Sequence, residues 1–427
     1  MGREGEALSG TICLNVVLSL GRKPVAAMKD RLSLCMIVKN EADALGDCLK
    51  SVRDFVGEIA ILDTGSTDET VAIAKEFGAT VGHFDWNQDF AAARNEALKL
   101  VTKEWVLVLD ADETLNPKVI PAIEAAIAKP DTLVVNLLRY EIGASQSPYS
   151  LVSRLFRRHP SLGFSRPYHA MIDDSVQTLL ATEPQWQITE LPQVAIFHTG
   201  YQRAAIAKLE KSTRAKLAME TYYKDHPNDP YVCSKLGGIY LGEGLPKQAL
   251  KILKQGLKYS ANESANLRYE LHYHLGNAFR QNHEPEKAIK HYQLAGEQPL
   301  QDKLKIGAYH NLGALLQTLG KPDAAIAQHQ LTLKIDPTFA PGYYNLGLAY
   351  KTLGQVGKAI EAYEKSLKLN PLNPWAHQNL AALLFRIGQT AESQKFFKQA
   401  IALHETQNPA EARRLKQKLA QLMHQSP

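Results

Sequence analysis

Three carboxylates follow a short apolar run at residues 104–115, which read EWVLVLDADETL. Five of the first six residues are apolar, a composition typical of a strand that is covered on both faces. Asp110, Asp112 and Glu113 then follow within four residues. Without a cation, such carboxylates would repel one another and would be costly to desolvate. Their hard oxygen atoms suit Mg²⁺ or Mn²⁺, ions that commonly bridge to substrate phosphates.

Two other apolar runs also end in polar residues. MIVKNEAD supplies Asn40 and Glu41, and ILDTGS supplies Asp63. Taken singly, each acid is more often a solvated loop residue or a helix cap. If the three runs are parallel strands, however, their carboxyl ends meet at one edge of a sheet, where ligands bind in such folds. As a set, the residues therefore predict one crevice for a metal ion and a diphosphate.

The elements that would position this crevice alternate between strands and helices from residue 32 to about 140. Strands are predicted for LSLCMIV, EIAIL, TVGHF and WVLVL, and amphipathic or Ala-rich helical segments separate them. Such alternation indicates a mostly parallel sheet with helices on its faces. Beyond about residue 203 the strand pattern stops, so the chain is expected to change fold class there.

An internal repeat of 34 residues occupies the second half of the chain. Its marker is a Leu followed by a small residue, at Leu312/Gly313, Leu346/Gly347 and Leu380/Ala381. A second small residue follows twelve positions later in each unit, and looser copies begin at Leu236 and Leu275. The pattern resembles the tetratricopeptide repeat, in which small residues let paired helices approach closely. About five units are predicted over residues 227–404, followed by a C-terminal capping helix and tail at 405–427.

The composition is that of an ordinary globular chain of 427 residues, with a net charge of +5 and no long basic block. A nucleic-acid partner is therefore not expected. Four scattered cysteines without a disulfide framework favour the cytosol, and a peripheral membrane location stays open. The apolar segment TICLNVVLSL is too short for a transmembrane segment. Residues 1–30 are predicted to be a disordered or misassigned extension, with Met28 as an alternative start.

The N-terminal motifs resemble the family 2 glycosyltransferases of the GT-A class. The resemblance rests on LCMIVKNEADALGDCLKSV, ILDTGSTDET, FDWNQDFAAARNEAL and WVLVLDADE, which occur in this order. It implies a Rossmann-type α/β domain over residues 31–202, joined by a linking helix at 203–226 to an all-α repeat solenoid. It also implies inverting transfer from a nucleotide-diphosphate sugar, commonly a UDP-sugar, with Mg²⁺ or Mn²⁺ as the cofactor.

The same resemblance assigns roles to single residues. Asn40, Glu41, Asp63 and Arg94 would line the nucleotide pocket. Asp110 and Asp112 would form the D-x-D pair of the family, with Asp112 on the metal ion and Asp110 on the ribose or the ion. His198, after the apolar run VAIF, would complete the metal shell, although a lone histidine in this position is often structural.

The sequence departs from the family at the expected general base. Relatives commonly carry a His-Glu pair after an R-L-F strand, and the alignment places His169 on the His but Ala170 on the Glu. Asp173 and Asp174 lie three and four residues further on and are the predicted substitutes. They could equally cap a helix or belong to a loop, and the base could lie elsewhere.

The acceptor is left open between a protein and a cell-envelope saccharide, with the repeats predicted to recruit the acceptor or a protein partner. Two other readings stay open. Nucleotidyl transfer also uses paired acids on α/β sheets, but it usually requires a Gly-rich loop where this chain has KNEAD. A slow or non-catalytic scaffold that binds a nucleotide-sugar is the second alternative.

Overall fold

A computed structural model of the chain describes residues 28–168, 170–199 and 216–424. Most of the predicted N-terminal extension and His169 therefore lie outside the described residues. The described part of the predicted linking segment, residues 216–225, is helical.

The N-terminal region contains eight strands and six α-helices within the described residues. The strands are β1 Leu32–Val38, β2 Glu58–Asp63, β3 Thr80–His83, β4 Trp105–Val108, β5 Glu113–Leu115, β6 Thr132–Glu141, β7 Tyr149–Arg157 and β8 Gln187–His198. The helices are α1 Met28–Arg31, α2 Ala42–Val52, α3 Thr70–Glu76, α4 Phe90–Leu98, α5 Ile120–Ile127 and α6 Asp173–Thr182.

The strands form one sheet in the order β3-β2-β1-β4-β7-β6-β8-β5. The β3–β2, β2–β1 and β1–β4 pairs are parallel, and β6 pairs with β8 in parallel as well. The β4–β7, β6–β7 and β5–β8 pairs are antiparallel. The sheet is therefore mostly parallel, and its antiparallel pairs lie on the β7–β5 side.

Helices cover both faces of the sheet, which explains the unbroken apolar runs in its strands. On one face, Leu45 and Leu49 of α2 and Ile123 of α5 pack on Leu34 and Trp105. On the other face, residues of α4 and α6 pack on a second apolar layer that includes Val106 and Phe156. Strands buried on both sides have no need for alternating polar residues.

The second region is a solenoid of five helix pairs over the described residues. The pairs are α7 Pro230–Gly242 with α8 Pro246–Tyr259, α9 Ala265–Gln281 with α10 Pro285–Gly296, α11 Asp302–Thr318 with α12 Pro322–Ile335, α13 Ala340–Thr352 with α14 Val356–Leu369, and α15 Pro374–Arg386 with α16 Thr390–Gln407. Helix α17, Pro409–His424, follows.

The small residues of the repeat sit where paired helices touch. A Cβ atom added to Gly313 would lie 2.6 Å from the His329 ring, and one added to Gly347 would lie 2.6 Å from the Tyr363 ring. Ala325 and Ala359 on the partner helices are fully buried. The small residues that recur every 34 positions therefore lie where the two helices of a repeat are in direct contact.

The solenoid packs directly on the eight-stranded sheet. Leu138 and Tyr149, on β6 and β7, share a buried cluster with Leu304 and Phe339 of the repeat region. The Tyr149 hydroxyl donates a hydrogen bond of 2.9 Å to Asp336. The two regions therefore share a core. Among the described helices, none combines the length and apolar composition that crossing a bilayer requires.

Candidate active site

The strand order places the predicted site residues at one edge of the sheet. Strand β1 lies between β2 and β4, and all three run in the same direction. Asn40 and Glu41 follow β1, Asp63 ends β2, and Asp110 and Asp112 follow β4. Residues far apart in the sequence thus share the carboxyl edge, where ligands bind in α/β sheets.

The loops after β1 and β2 are tied together by hydrogen bonds. The Asn40 backbone amide donates to the Ser66 hydroxyl at 2.9 Å, and the Thr67 amide donates to Asn40 Oδ1 at 2.7 Å. Asp63 is buried and accepts from the amides of Gly65 and Ser66. Gly65 has a φ of 97°, a conformation that favours glycine. Asn40 and Asp63 therefore shape the rim of the crevice.

Asp110 is held between two arginines. Its Oδ1 accepts from Arg94 Nη2 at 2.7 Å, and its Oδ2 accepts from Arg154 Nη2 at 2.9 Å. Burial would raise the pKa of this carboxyl, but Arg154 and Arg94 outweigh burial and hold the pKa well below its usual range. About a third of the side chain, 36%, remains exposed. Both carboxylate oxygens of Asp110 therefore accept a hydrogen bond from an arginine, and two guanidinium groups lie beside the end of β4.

Arg94 also carries a donor that lacks a partner. Its Nη1 atom is buried and makes no hydrogen bond within the described structure. A buried unsatisfied donor costs free energy, so its persistence calls for an explanation. An anionic ligand at Asp110 and Arg154 would supply the missing acceptor.

A second group of charges continues from Asp110 into the sheet. The Asp110 backbone amide donates to Glu113 Oε2 at 2.9 Å, and Arg139 Nη1 donates to Glu113 Oε1 at 2.8 Å. Arg139 Nε lies 2.8 Å from Glu141 Oε1. Glu113 is fully buried, which is tolerated because both of its oxygens are hydrogen-bonded.

His198 joins Glu141 to Asp112. Its Nδ1 lies 2.5 Å from Glu141 Oε2, and its Nε2 lies 3.3 Å from Asp112 Oδ2. Burial lowers the pKa of the imidazole, but hydrogen bonds with Asp112 and Glu141 outweigh it and raise the pKa to about 9. The pairing arises because β8 ends beside both β5 and β6, opposite Glu113 and Glu141. A continuous network of charges therefore runs from Arg94 to Asp112.

The donor set beside Asp112 contains few groups that could hold a divalent ion. No cluster of three or more His, Cys, Asp or Glu side chains with metal-binding geometry occurs within residues 28–168, 170–199 and 216–424. Asp112 Oδ2 and His198 Nε2 nevertheless lie 3.3 Å apart, an oxygen and a nitrogen of the kinds that bind divalent ions. Glu141 orients the other ring nitrogen, as carboxylates do behind metal-bound histidines. Because Mg²⁺ needs few protein ligands when a diphosphate and water complete its shell, this pair fits such an ion.

Asp173 and Asp174 both begin helix α6 but have different surroundings. Asp173 Oδ1 accepts a hydrogen bond of 2.9 Å from Ser153, and burial raises the pKa of its carboxyl. Asp174 forms an ion pair with Arg166 at 2.5 Å, and 49% of its side chain is exposed. Both residues lie in the first turn of α6, whose N-cap is Ile172, so neither is the helix cap that the sequence left open. Their different partners give the two carboxylates different chemistry.

Two residues of the network, Arg139 and Glu141 on β6, carry no role in the sequence analysis, although each is a charged residue inside an apolar strand. Arg154 on β7 is recognisable in the sequence as a strand cation that could accompany phosphate or face water. Arg139 and Glu141 are two positions apart, so they point to the same face. Charged residues in a buried strand almost always have a charged partner. A charge inside an apolar strand is therefore a sequence signal for a site residue.

This arrangement defines a class of protein: an α/β domain with a network of charged residues at its strand ends, joined to a helical repeat array. A profile described as Glycosyl transferase family 2 matches residues 33–187. Tetratricopeptide repeat profiles match residues 306–335, 340–373 and 362–395.

The chain is also similar to whole proteins and to a solved structure. A TPR repeat-containing protein of Synechococcus elongatus is 45% identical over 297 residues, which cover 70% of this chain and 73% of that protein. The prophage-derived glycosyltransferase SunS of Bacillus subtilis is 28% identical over 207 residues, or 46% of each chain. A solved structure of MamA from Desulfovibrio magneticus covers 42% of this chain and 97% of its own at 23% identity and a TM-score of 0.37. The chain therefore carries a glycosyl transferase family 2 domain at residues 33–187, followed by tetratricopeptide repeats.

Proposed function

We propose that the chain is an inverting glycosyltransferase that moves a sugar from a UDP-sugar to a protein or cell-envelope saccharide acceptor. The observation that carries the proposal is the pairing of Asp110 with Arg94 and Arg154 beside the Asp112–His198 pair. Two fixed cations and a metal-binding pair at one strand edge suit a diphosphate. Family membership supplies the reaction class.

The loops after β1 and β2 bind the nucleotide in this proposal. The hydrogen bonds between Asn40 and the Ser66–Thr67 segment hold the two loops at a fixed separation. Asp63 fixes the turn that follows β2. Rigid loops lose little conformational entropy when a nucleotide binds between them. In this proposal Arg94 and Glu41 belong to the same nucleotide pocket, and the donor substrate supplies an acceptor for the buried, unpartnered Nη1 atom of Arg94.

Asp112 and His198 would hold Mg²⁺ or Mn²⁺, which would neutralise the charge that develops on the leaving diphosphate. Glu141 keeps the His198 ring in position through its Nδ1 contact. Arg154 adds a permanent positive charge close to Asp110. Together these groups favour departure of the diphosphate.

Asp173 is the proposed general base. An inverting transfer needs a group that takes the proton of the acceptor hydroxyl. A raised pKa makes the Asp173 carboxylate a better proton acceptor than an ordinary aspartate. Asp174 is less suited because its charge is already paired with Arg166. Asp173 accepts a hydrogen bond from Ser153, the residue before Arg154 on β7.

A donor screen tests this function. The full chain is incubated with UDP-glucose, UDP-galactose and UDP-N-acetylglucosamine in Mn²⁺, and released UDP is measured. We expect release from at least one donor, and its loss in Arg154→Met because that substitution removes a cation at Asp110. Lys351→Met, on repeat helix α13, is the matched control. Donor binding by calorimetry with no UDP release under any condition would instead favour the non-catalytic scaffold.

A further inference from the structure

Arg166 lies between β7 and α6 and contacts both the N-terminal region and the first repeat. Its guanidinium donates to Asp174 at 2.5 Å, on the first turn of α6, and to Asp229 at 2.9 Å, just before α7 begins. The guanidinium also lies 4.7 Å from the centre of the Tyr231 ring. Only 9% of the Arg166 side chain is exposed. One buried side chain therefore joins the helix of the proposed base to the solenoid.

The backbone of Arg166 adopts a conformation that is uncommon for its residue type. Its φ is 71°, in the left-handed region that favours glycine. A non-glycine residue in this region costs free energy and keeps the conformation only where the surrounding structure holds it there. The contacts with Asp174 and Asp229 are interactions of this kind.

The sequence neighbours of this arginine contact α4, the helix that carries Arg94. The side chain of Asn95 exchanges two hydrogen bonds with the Phe164 backbone, at 2.7 and 2.9 Å. The Phe90 amide donates to the Pro167 carbonyl at 2.9 Å. The 164–168 segment is therefore attached to α4 on both sides of residue 166.

The same segment is also attached to the start of α6. The Ser165 amide donates to the Met171 carbonyl at 2.9 Å, and the Met171 amide donates to the Ser165 carbonyl at 3.3 Å. The Ser165 hydroxyl donates to Asp174. Met171 precedes Asp173 by only two residues, so the position of the 164–168 segment determines where the first turn of α6 lies.

Asp229 caps a repeat helix and pairs with Arg166 at the same time. Its Oδ1 accepts from the amides of Tyr231 and Val232 at 2.9 and 3.2 Å, while its Oδ2 accepts from the guanidinium. An N-cap requires an oxygen acceptor, which Asn supplies as well as Asp. Asn373 caps α15 of the fifth repeat in this way, through two amides at 3.1 Å each. The cap does not need the charge of Asp229, whereas the pairing with Arg166 does.

We propose that Arg166 is a positioning residue for the transfer, and that its contact with Asp229 makes the first repeat part of the catalytic unit. The inference rests on the proposed function, in which Asp173 is the base. The repeat holds the 164–168 segment, and the segment holds the turn that carries Asp173. A base must lie within hydrogen-bond reach of the proton that it takes. A displacement of about 1 Å can lower a rate by about 100-fold.

The test removes the charge of Asp229 and keeps its cap. In the full chain with Mn²⁺, Asp229→Asn should lower kcat for UDP release by about 10- to 100-fold. KM for the UDP-sugar should not change, because the loops after β1 and β2 keep their contacts. Asn373→Asp makes the reverse exchange at the cap of α15 and should behave as the wild type.

Hydrogen–deuterium exchange gives a readout that does not depend on turnover. Peptides that contain Ser165 and Met171 should exchange faster in Asp229→Asn than in the wild type or in Asn373→Asp, because the segment has lost its attachment to α7. Exchange in the first turn of α15 should be the same in Asp229→Asn and the wild type.

A second variant guards against a folding defect. Asp229→Asn leaves the buried Arg166 cation with one carboxylate instead of two, and a buried charge without its partner destabilises a fold. The double variant Arg166→Met with Asp229→Asn contains no such cation. It should show the same fall in kcat at a temperature at which circular dichroism shows every variant to be folded.

The outcomes distinguish the two levels of proposal. Absence of UDP release by the wild type from every donor would contradict the proposed function, while the exchange experiment would still test the contact between the repeat and the segment. Wild-type kcat in Asp229→Asn, or a rise in KM without a fall in kcat, would overturn the positioning role. Unchanged exchange at Ser165 and Met171 would show that the first repeat does not hold the segment.

Discussion

Asp173→Asn is expected to abolish most transfer while leaving the fold intact. Asn keeps the size of the side chain and can still accept the hydrogen bond from Ser153, but it cannot take a proton. Loss of a general base typically lowers the rate by about 10²- to 10⁴-fold. At about 1.4 kcal/mol per tenfold, this corresponds to about 3–5 kcal/mol of activation free energy.

The neighbouring residue provides the matched control. Asp174→Asn removes one charge from the same turn of α6 and breaks its ion pair with Arg166, but the Asp174 side chain is half exposed and Arg166 retains Asp229. Exposed pairs contribute about 0–1 kcal/mol to stability, so this variant should stay folded and active. Donor affinity, measured by calorimetry with UDP, should be unchanged in both variants.

The protonation behaviour of Asp173 gives the prediction a second readout. Burial raises its pKa and Asp174 acts in the same direction, whereas the Ser153 hydrogen bond and Arg166 lower it. Because the base must be ionised, kcat/KM should fall as the pH drops through a value above the ordinary aspartate pKa of about 3.9. This acidic limb should be missing from the residual activity of Asp173→Asn.

Thermal stability separates catalysis from folding. A pKa raised by folding contributes stability that is present below the unfolded pKa and is lost as pH rises through the folded pKa. At neutral pH the ionised Asp173 therefore costs folding free energy, and Asp173→Asn should melt no lower than the wild type. Full transfer activity in this variant, or a rate loss matched by a lower melting temperature, would refute the assignment.

Three further predictions concern the metal pair and the shared core. Asp112→Asn should lower the transfer rate by about 100-fold or more, and excess chelator should stop the wild-type reaction in the same UDP-release assay. Glu141→Gln should weaken Mn²⁺ binding by about 10- to 100-fold because His198 loses its charged partner; an unchanged Mn²⁺ titration by electron paramagnetic resonance would contradict this. Phe339→Ala should cost about 3–5 kcal/mol, since Phe339 is buried against Leu138; a melting temperature equal to that of the wild type would show that the two regions do not share a core.

The sequence by itself determined the fold classes of the two regions. Strand runs without polar alternation require cover on both faces, and β1 and β4 are indeed buried on both sides. A 34-residue spacing of small residues requires repeated close helix contacts, as Gly313 and Gly347 make. Both signals can be read from the sequence, because buried positions and close helix contacts recur at regular spacings along the chain.

The sequence also placed Asn40, Asp63, Asp110 and Asp112 at a common strand edge, since parallel strands end on the same side. It could not show that Asp110 is engaged by two arginines. That arrangement depends on β4 pairing with β7, which brings Arg154 beside the end of β4. Strand order between distant segments is a property of the whole sheet, and no local pattern encodes it.

Tertiary structure alone decided the partners of the remaining charges. Glu141 and His198 are 57 residues apart and meet because β6 pairs with β8. Asp173 and Asp174 are adjacent and look equivalent in the sequence, yet they differ because Ser153 approaches one and Arg166 the other. A pKa depends on burial and on charges within a few ångströms, and both are set only when distant segments pack together.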